Sequence, residues 1–263
     1  MTAGERTGRR AQDLRSRYTA QDLHTLSDDE ARRFVGGGPG DGQIDAPLAW
    51  ELLYRLEPEL YDRLACAERL HRAVLGWLPA DVGRIVEVGA GTGRLTLELL
   101  GRAREIVAIE PAQPLREILT RKLMRAERGD RVRVTAGFFD DLPLPDSWSD
   151  VVVACSALTP DRGHGGDAGL AEMERVCKPG GCVAIVWPND VGWLEARGYR
   201  YVSFDGEMFV EFASPEDAAE LTEIFYPHAA AEVRRRGQQR VPFDTLGINP
   251  PRDVAFKVMA AGR

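Results

Sequence analysis

The sequence predicts an α/β fold: a doubly wound, Rossmann-like and mostly parallel sheet preceded by a helical lid. Three observations carry that prediction. Short β-branched runs alternate with amphipathic segments from residue 84 onward, and such alternation implies right-handed crossovers and a parallel sheet. The run DVVVACSA (150–157) is nearly all apolar, as strands buried on both faces are. VEVGAGTGRLT (86–96) sets three glycines on alternate positions between a strand pattern and a helix pattern.

Taken in order, residues 1–46 are polar and charged and are expected to form a partly flexible arm. Within them Ser27 and Glu30 make a capping box at SDDEARRF, and GGGPGDG (36–42) reads as a flexible joint. Residues 47–80 form a helical cap. There Trp50, Leu53, Tyr54, Leu60, Tyr61, Leu64, Leu70, Val74 and Leu75 recur at three- and four-residue spacing, which reads as one or two amphipathic helices. The core spans 81–263. Its first five strands are expected at RIVEVGA (84–90), EIVAIEP (105–111), RVRVTA (131–136), DVVVACSA and CVAIVWP (182–188). Helices are expected at RLTLELLGRA (94–103), near 112–127 and at AGLAEMERVC (168–177), the last stopped by Lys178, Pro179, Gly180 and Gly181. Asp205-Gly206 between YRYVSF and EMFVEF is a two-residue turn signal, so a cap-like hairpin insertion is expected at about 191–213. Ser214-Pro215-Glu216-Asp217 opens a helix with an N-cap, a first-turn proline and favourable acids. AAAEVRRR (229–236) and DVAFKVMA (253–260) read as the last two strands.

Composition removes several function classes. Apolar content of 44% and charged content of 29% are those of a soluble globular protein. A net charge of -7 argues against a nucleic-acid partner and gives no sign of an anionic-membrane footprint. No run reaches the roughly 18 apolar residues of a spanning helix. MTAGERTGRRAQDL carries charge with no apolar stretch behind it, so a secretory signal is not expected and the cytoplasm is the default compartment. Cys66, Cys155, Cys177 and Cys182 show no CxxC pairing, against a zinc ribbon or redox pair.

The glycine loop is the chemical signal. Gly89 ends a strand, and Gly91 and Gly93 lead into a helix, so the backbone can turn tightly beside a ligand. A P-loop would need GK[ST], which is absent, and Arg94 stands where the dinucleotide fingerprint needs Gly or Ala. Glu87 puts a carboxylate beside the loop and suits a cationic group better than a diphosphate. Glu110, at the end of the second strand, is placed to accept both ribose hydroxyl hydrogens. A ligand with a ribose, little or no phosphate, an ammonium and a carboxylate matches S-adenosyl-L-methionine.

From about 82 to 188 the chain resembles a class I S-adenosylmethionine-dependent methyltransferase. VEVGAGTG (86–93) is similar to the family's first motif, and IEP (109–111) to its acidic ribose site. DDLPLPDSWSDVVVACSAL (140–158) is similar to the stretch entering the fourth strand, and MERVCKPGGCVAIVWP (173–188) to the helix, turn and fifth strand. The resemblance implies a seven-stranded sheet ending in a reversed hairpin, with S-adenosyl-L-homocysteine as product. It places the cofactor against Glu87, Gly89, Ala90, Gly91, Gly93, Glu110, Pro111, Cys155 and Ser156. Many relatives carry an acid directly after the glycine that follows the third strand. Here Gly137 is followed by Phe138, Phe139, Asp140 and Asp141, so either an aromatic sandwiches the adenine or the acid role slides to Asp140, unless both phenylalanines are core.

A sulfonium makes its methyl group electrophilic, so the protein must mainly align a nucleophile and exclude water. The loop TPDRGHGGDAG (159–169) holds His164, a candidate general base. Asp161, His164 and Asp167 lack an evident fourth metal ligand, and no metal is expected. Tyr54 and Tyr61, with Trp50, are candidate lid residues over the methyl group. The expected acceptor is a small molecule, aromatic or a specialised metabolite. The alternative is a non-catalytic or protein-directed cofactor-binding member, and a homodimer is left open.

Overall fold

The computed structural model describes residues 14–35 and 44–261. The chain divides into two compact units, one formed by the chain up to Arg69 with Glu207–Pro250, the other by Leu70–Gly206 with the chain from Pro251. The strands, in chain order, are β1 (Val82–Val88), β2 (Ala103–Ile109), β3 (Val132–Thr135), β4 (Ser149–Cys155), β5 (Cys177–Val186), β6 (Arg200–Ser203), β7 (Phe209–Glu211), β8 (Arg240–Pro242) and β9 (Asp253–Val258).

The second unit holds a seven-stranded sheet in the order β3-β2-β1-β4-β5-β9-β6. β3, β2, β1, β4 and β5 pair in parallel, while β9 runs antiparallel to both β5 and β6. The last strand is therefore the reversed one. Val86, Val88, Val152 and Ala154 pack one face of the sheet onto Leu170, Met173 and Val176 of the helix Gly166–Val176. On the other face Ala108 meets Leu119 and Leu123 of the helix Gln113–Leu123. With helices on both faces, valine-rich strands gain from burial on either side, which is why β4 reads as one apolar run.

Several expected elements differ. β6 and β7 do not form a hairpin: β6 pairs with β9, and β7 pairs with β8 in a separate two-stranded sheet of the first unit. Arg252 donates through Nη1 to the Gly206 carbonyl (3.1 Å), and Phe204 N donates to Arg252 O (2.9 Å). The returning strand, not the chain that follows, thus holds β6, and Asp205-Gly206 is where the chain leaves the second unit. The expected strand at 229–236 is the helix Pro227–Arg236. Pro227 sits in its first turn, Gly237 caps its end at φ 59°, and Ala229, Ala230 and Val233 are buried at helical spacing. The helix expected at 94–103 shrinks to Thr96–Leu99, with Gly101 at φ 83° just beyond it. Lys178–Gly181 lie within β5 as an excursion between Cys177, opposite Ser149, and Cys182, opposite Val151.

In the first unit the helical stripe becomes Ala46–Leu56 and Pro58–Ala67, the second opening on Pro58. The helix Arg72–Trp77 belongs to the second unit. Ser27 forms its capping box with Glu30 at the start of the helix Asp28–Phe34, and Ser214 caps Pro215–Phe225 through Asp217 N. Residues 14–35, expected within a partly flexible arm, are docked: Leu14 is fully buried, and Tyr18 Oη donates to Glu57 (2.8 Å). The expected joint at 36–42 and the first thirteen residues lie outside the described residues.

Arg55 ties this segment down. Its guanidinium, 6% exposed, donates to Glu30 (2.6 Å) and Glu51 (2.7 Å). Burial alone would raise the Glu30 carboxyl, but the Arg55 and Ser27 hydrogen bonds outweigh it and hold Glu30 below its ordinary value. Removing one partner from a buried ion network leaves charge uncompensated, so Arg55→Ala should cost about 3–5 kcal/mol in urea unfolding. A loss below about 1 kcal/mol, the value of a surface pair, would show that the network is solvated.

Candidate functional site

The glycine loop follows β1 within the second unit. Gly89, Gly91 and Gly93 have φ of 71°, 55° and 97°, a left-handed path that side-chain-bearing residues rarely take. A Cβ on Gly89 would lie 2.7 Å from Ala157 and 3.1 Å from the Phe139 ring, and one on Gly93 2.6 Å from Leu119. The turn is anchored to β2, since the Ile109 carbonyl accepts from both Gly89 N (2.9 Å) and Ala90 N (3.0 Å).

Two carboxylates flank the turn. Glu110 is 5% exposed, and each of its oxygens accepts one backbone amide: Oε2 from Gly91 N and Oε1 from Ala112 N, both at 2.9 Å. Arg116 donates to the carbonyls of Glu110 (2.7 Å) and Pro111 (2.5 Å), fixing the strand's end. Glu87 is 1% exposed and accepts from Thr96 Oγ1 at 2.6 Å. Burial pushes its carboxyl up to about 8, the Thr96 hydrogen bond opposing this and the Glu110 charge adding to it. Thr92, inside the loop, is 1% exposed, and its Oγ1 has no hydrogen-bond partner among the described residues.

The neighbouring strands end beside this loop. Ser156, just after β4, has φ 53° and donates from its amide to Val186 O (2.9 Å); Trp187, just after β5, has φ 52°. Left-handed conformations at non-glycine residues carry strain that accumulates at ligand sites. Cys155, the end of β4, is half-buried. Phe139 is wedged against Gly89, Gly165 and Gly169, the contacts of a packing residue. Phe138 and Asp140 are half-buried on the same stretch.

The candidate catalytic residues fall in different units. His164 lies in the turn Arg162–His164, its Nδ1 3.7 Å from Asp161 Oδ1, while Asp161 caps Gly163 N at 2.7 Å. Asp167 is taken by Arg197 and Trp193. No group of side chains among the described residues could hold a metal ion. Tyr54 and Tyr61 belong to the first unit, where their rings meet edge-on at 4.8 Å between centroids beside Trp50, which stacks on Phe225. The partnerless Thr92 hydroxyl and the Thr96–Glu87 bond were missed from the sequence. A threonine inside a glycine loop gives no periodic signal, although its spacing from Glu87 marks it.

Residues 85–181 match the model of a methyltransferase domain. An uncharacterised methyltransferase of Mycobacterium tuberculosis (strain ATCC 25618 / H37Rv) is 31% identical over 140 residues, 51% of this chain and 52% of that protein. One from Geobacillus sp. (strain WCH70) is 35% identical over 86 residues, 32% of this chain and 38% of that protein. The chain thus spans about half the length of the mycobacterial relative. Among solved structures, the precorrin-6y C5,15-methyltransferase of Geobacter metallireducens GS-15 is 22% identical with a TM-score of 0.40, covering 52% of this chain and 75% of that one. The matched segment lies within the second unit, and S-adenosylmethionine is the cofactor that a methyltransferase domain implies. Among the described residues no helix is long and apolar enough to cross a membrane.

The residues fit that cofactor. The loop follows a left-handed path that glycine allows, the partnerless Thr92 hydroxyl lies in it, and Glu87 and Glu110 bond to its two sides.

The Glu87 carboxyl has a testable cost. Its folded pKa is raised, so it stabilises the fold fully below the unfolded value near 4.5, and that contribution is lost as pH rises through about 8. In the cofactor-free protein, Glu87→Gln should flatten the fall in stability between pH about 5 and 8. Melting temperatures across that range check it, and parallel profiles for variant and wild type would remove the buried-acid assignment.

Proposed function

We propose that this protein transfers the methyl group of S-adenosylmethionine to a small-molecule acceptor. The observation that carries the reading is Glu110, whose two oxygens are oriented by the amides of Gly91 and Ala112. A carboxylate so held is fixed in direction at the end of β2 beside the glycine turn, the place where an acid suits the paired hydroxyls of a ribose. Glu87, across the glycine turn, offers a buried acid to the ammonium of the cofactor, which in binding would favour its ionised form. The loop glycines let the backbone approach the methionine part, and Ser156 and Cys155 close the same side from β4. Phe138 and Asp140 flank the adenine.

When bound, the cofactor supplies a methyl group made electrophilic by a sulfonium. The chain aligns the acceptor and excludes water. Where the acceptor carries a proton, His164 takes it, histidine being the usual general base. The net charge of -7 supports a small acceptor over nucleic acid.

Titration calorimetry should find S-adenosylmethionine bound with micromolar-scale affinity and NAD bound poorly. Gly91→Val, which forces a β-branched residue into a left-handed turn, should abolish that binding. Glu110→Ala should weaken it by about 2–3 kcal/mol, the range for hydrogen bonds to a charged group, and Glu110→Asp less. NAD binding without S-adenosylmethionine binding would refute the reading. Turnover is tested by incubating the protein with S-adenosylmethionine and a metabolite library and following S-adenosylhomocysteine. Tight cofactor binding with no product from any acceptor would favour a non-catalytic member.

A further inference from the structure

The other partnerless buried side-chain atom of the described residues is a carboxylate oxygen at the same end of the sheet. Asp253 opens β9 and is 8% exposed, and its Oδ1 has no hydrogen-bond partner among the described residues. Its Oδ2 accepts from Tyr201 Oη at 2.8 Å. Because β9 runs against β5, its first residue lies beside the carboxyl end of β5, on the ligand side of a doubly wound sheet. Trp187 N donates to Asp253 O (2.9 Å), and the Arg94 guanidinium sits 5.2 Å from the Trp187 ring centre. Arg94 directly follows Gly93. One hydrogen bond and one ring contact therefore connect Asp253 to the glycine loop. Trp187, the link between them, holds a left-handed backbone.

We propose that Asp253 anchors the methyl acceptor, its Oδ1 taking a hydrogen bond from a hydroxyl or amine of that molecule while Tyr201 fixes the carboxylate. The inference rests on the methyltransferase reading. An oriented, partnerless acceptor selects for a donor, because a ligand without one leaves the oxygen buried and unsatisfied. Burial lifts the carboxyl to about 6, against the Tyr201 hydrogen bond, the Arg252 charge and the residue's own amide, which pull it down; in its ionised form the group is a strong acceptor. The acceptor class is thus narrowed to compounds bearing an O–H or N–H. Tyr201 is a positioning residue, and its ring, 40% exposed, borders the carboxylate.

Phenol and benzylamine serve as probes, with toluene as the donor-free control. Their binding is measured by ligand-observed NMR on the full chain, with and without S-adenosylhomocysteine. Wild type should bind phenol or benzylamine about tenfold tighter than toluene, the discrimination expected of a hydrogen bond to a charged group. Asp253→Asn, which turns an amide donor toward the probe, should erase that preference and keep wild-type affinity for S-adenosylhomocysteine and a wild-type melting temperature. Tyr201→Phe should keep the preference at reduced strength. If Asp253→Asn retains the preference, or wild type shows none in either state, the anchor is overturned. Failure of wild type to bind S-adenosylhomocysteine would instead strike the cofactor reading, which the cofactor-free arm separates.

Discussion

Everything else at the site depends on one carboxylate. Glu110 reaches from the end of β2 across to the turn after β1 and accepts the amides of Gly91 and Ala112. These bonds join two strand ends and the start of the helix Gln113–Leu123 at a single buried group. A buried charge is tolerated only where donors surround it, so the glycine turn and the acid each require the other. Without the amides Glu110 would be expensive to bury. Without Glu110 the left-handed turn would lose its outer support.

The sheet makes that arrangement possible. Parallel pairing of β1 with β2 and β4 brings their carboxyl ends to one edge, and the loops that follow must share that edge. Unpartnered polar atoms collect there, Thr92 Oγ1 in the glycine turn and Asp253 Oδ1 at the start of the reversed strand. Away from that edge the buried polar side chains of the described residues are paired, as with Ser149, whose Oγ donates to the carbonyls of Arg84 and Val151. Native interiors satisfy their polar atoms, so two orphans at one end of a sheet are what the proposed ligand positions there would account for.

Much of this was legible in the sequence, for identifiable reasons. β1, β2 and β4 are apolar on both faces and could be little else. Glu87, Gly89, Gly91, Gly93 and Glu110 are read by residue type and spacing alone, and the structure brings them to one turn. What failed was long-range pairing. YRYVSF and EMFVEF flank a good turn dipeptide, yet β6 is taken by β9, about fifty residues later, and β7 by β8. AAAEVRRR has both a strand's alternation and a helix's alanines, and Pro227 with Gly237 settles it as helix. Residues 14–35 look polar because Arg55 and Glu57 meet their charges from another segment, a pairing that local pattern cannot display. The interest of Asp253 comes from the same source, since only the reversed strand puts it at the ligand edge.

The account stands most directly on where the cofactor's sugar lies. A crystal structure of the protein with S-adenosylhomocysteine should place both ribose hydroxyls within hydrogen-bond distance of the Glu110 carboxylate, with the amino-acid end in the turn between Gly89 and Gly93. A ribose held by other side chains, with no hydroxyl within hydrogen-bond distance of the Glu110 carboxylate, would contradict it.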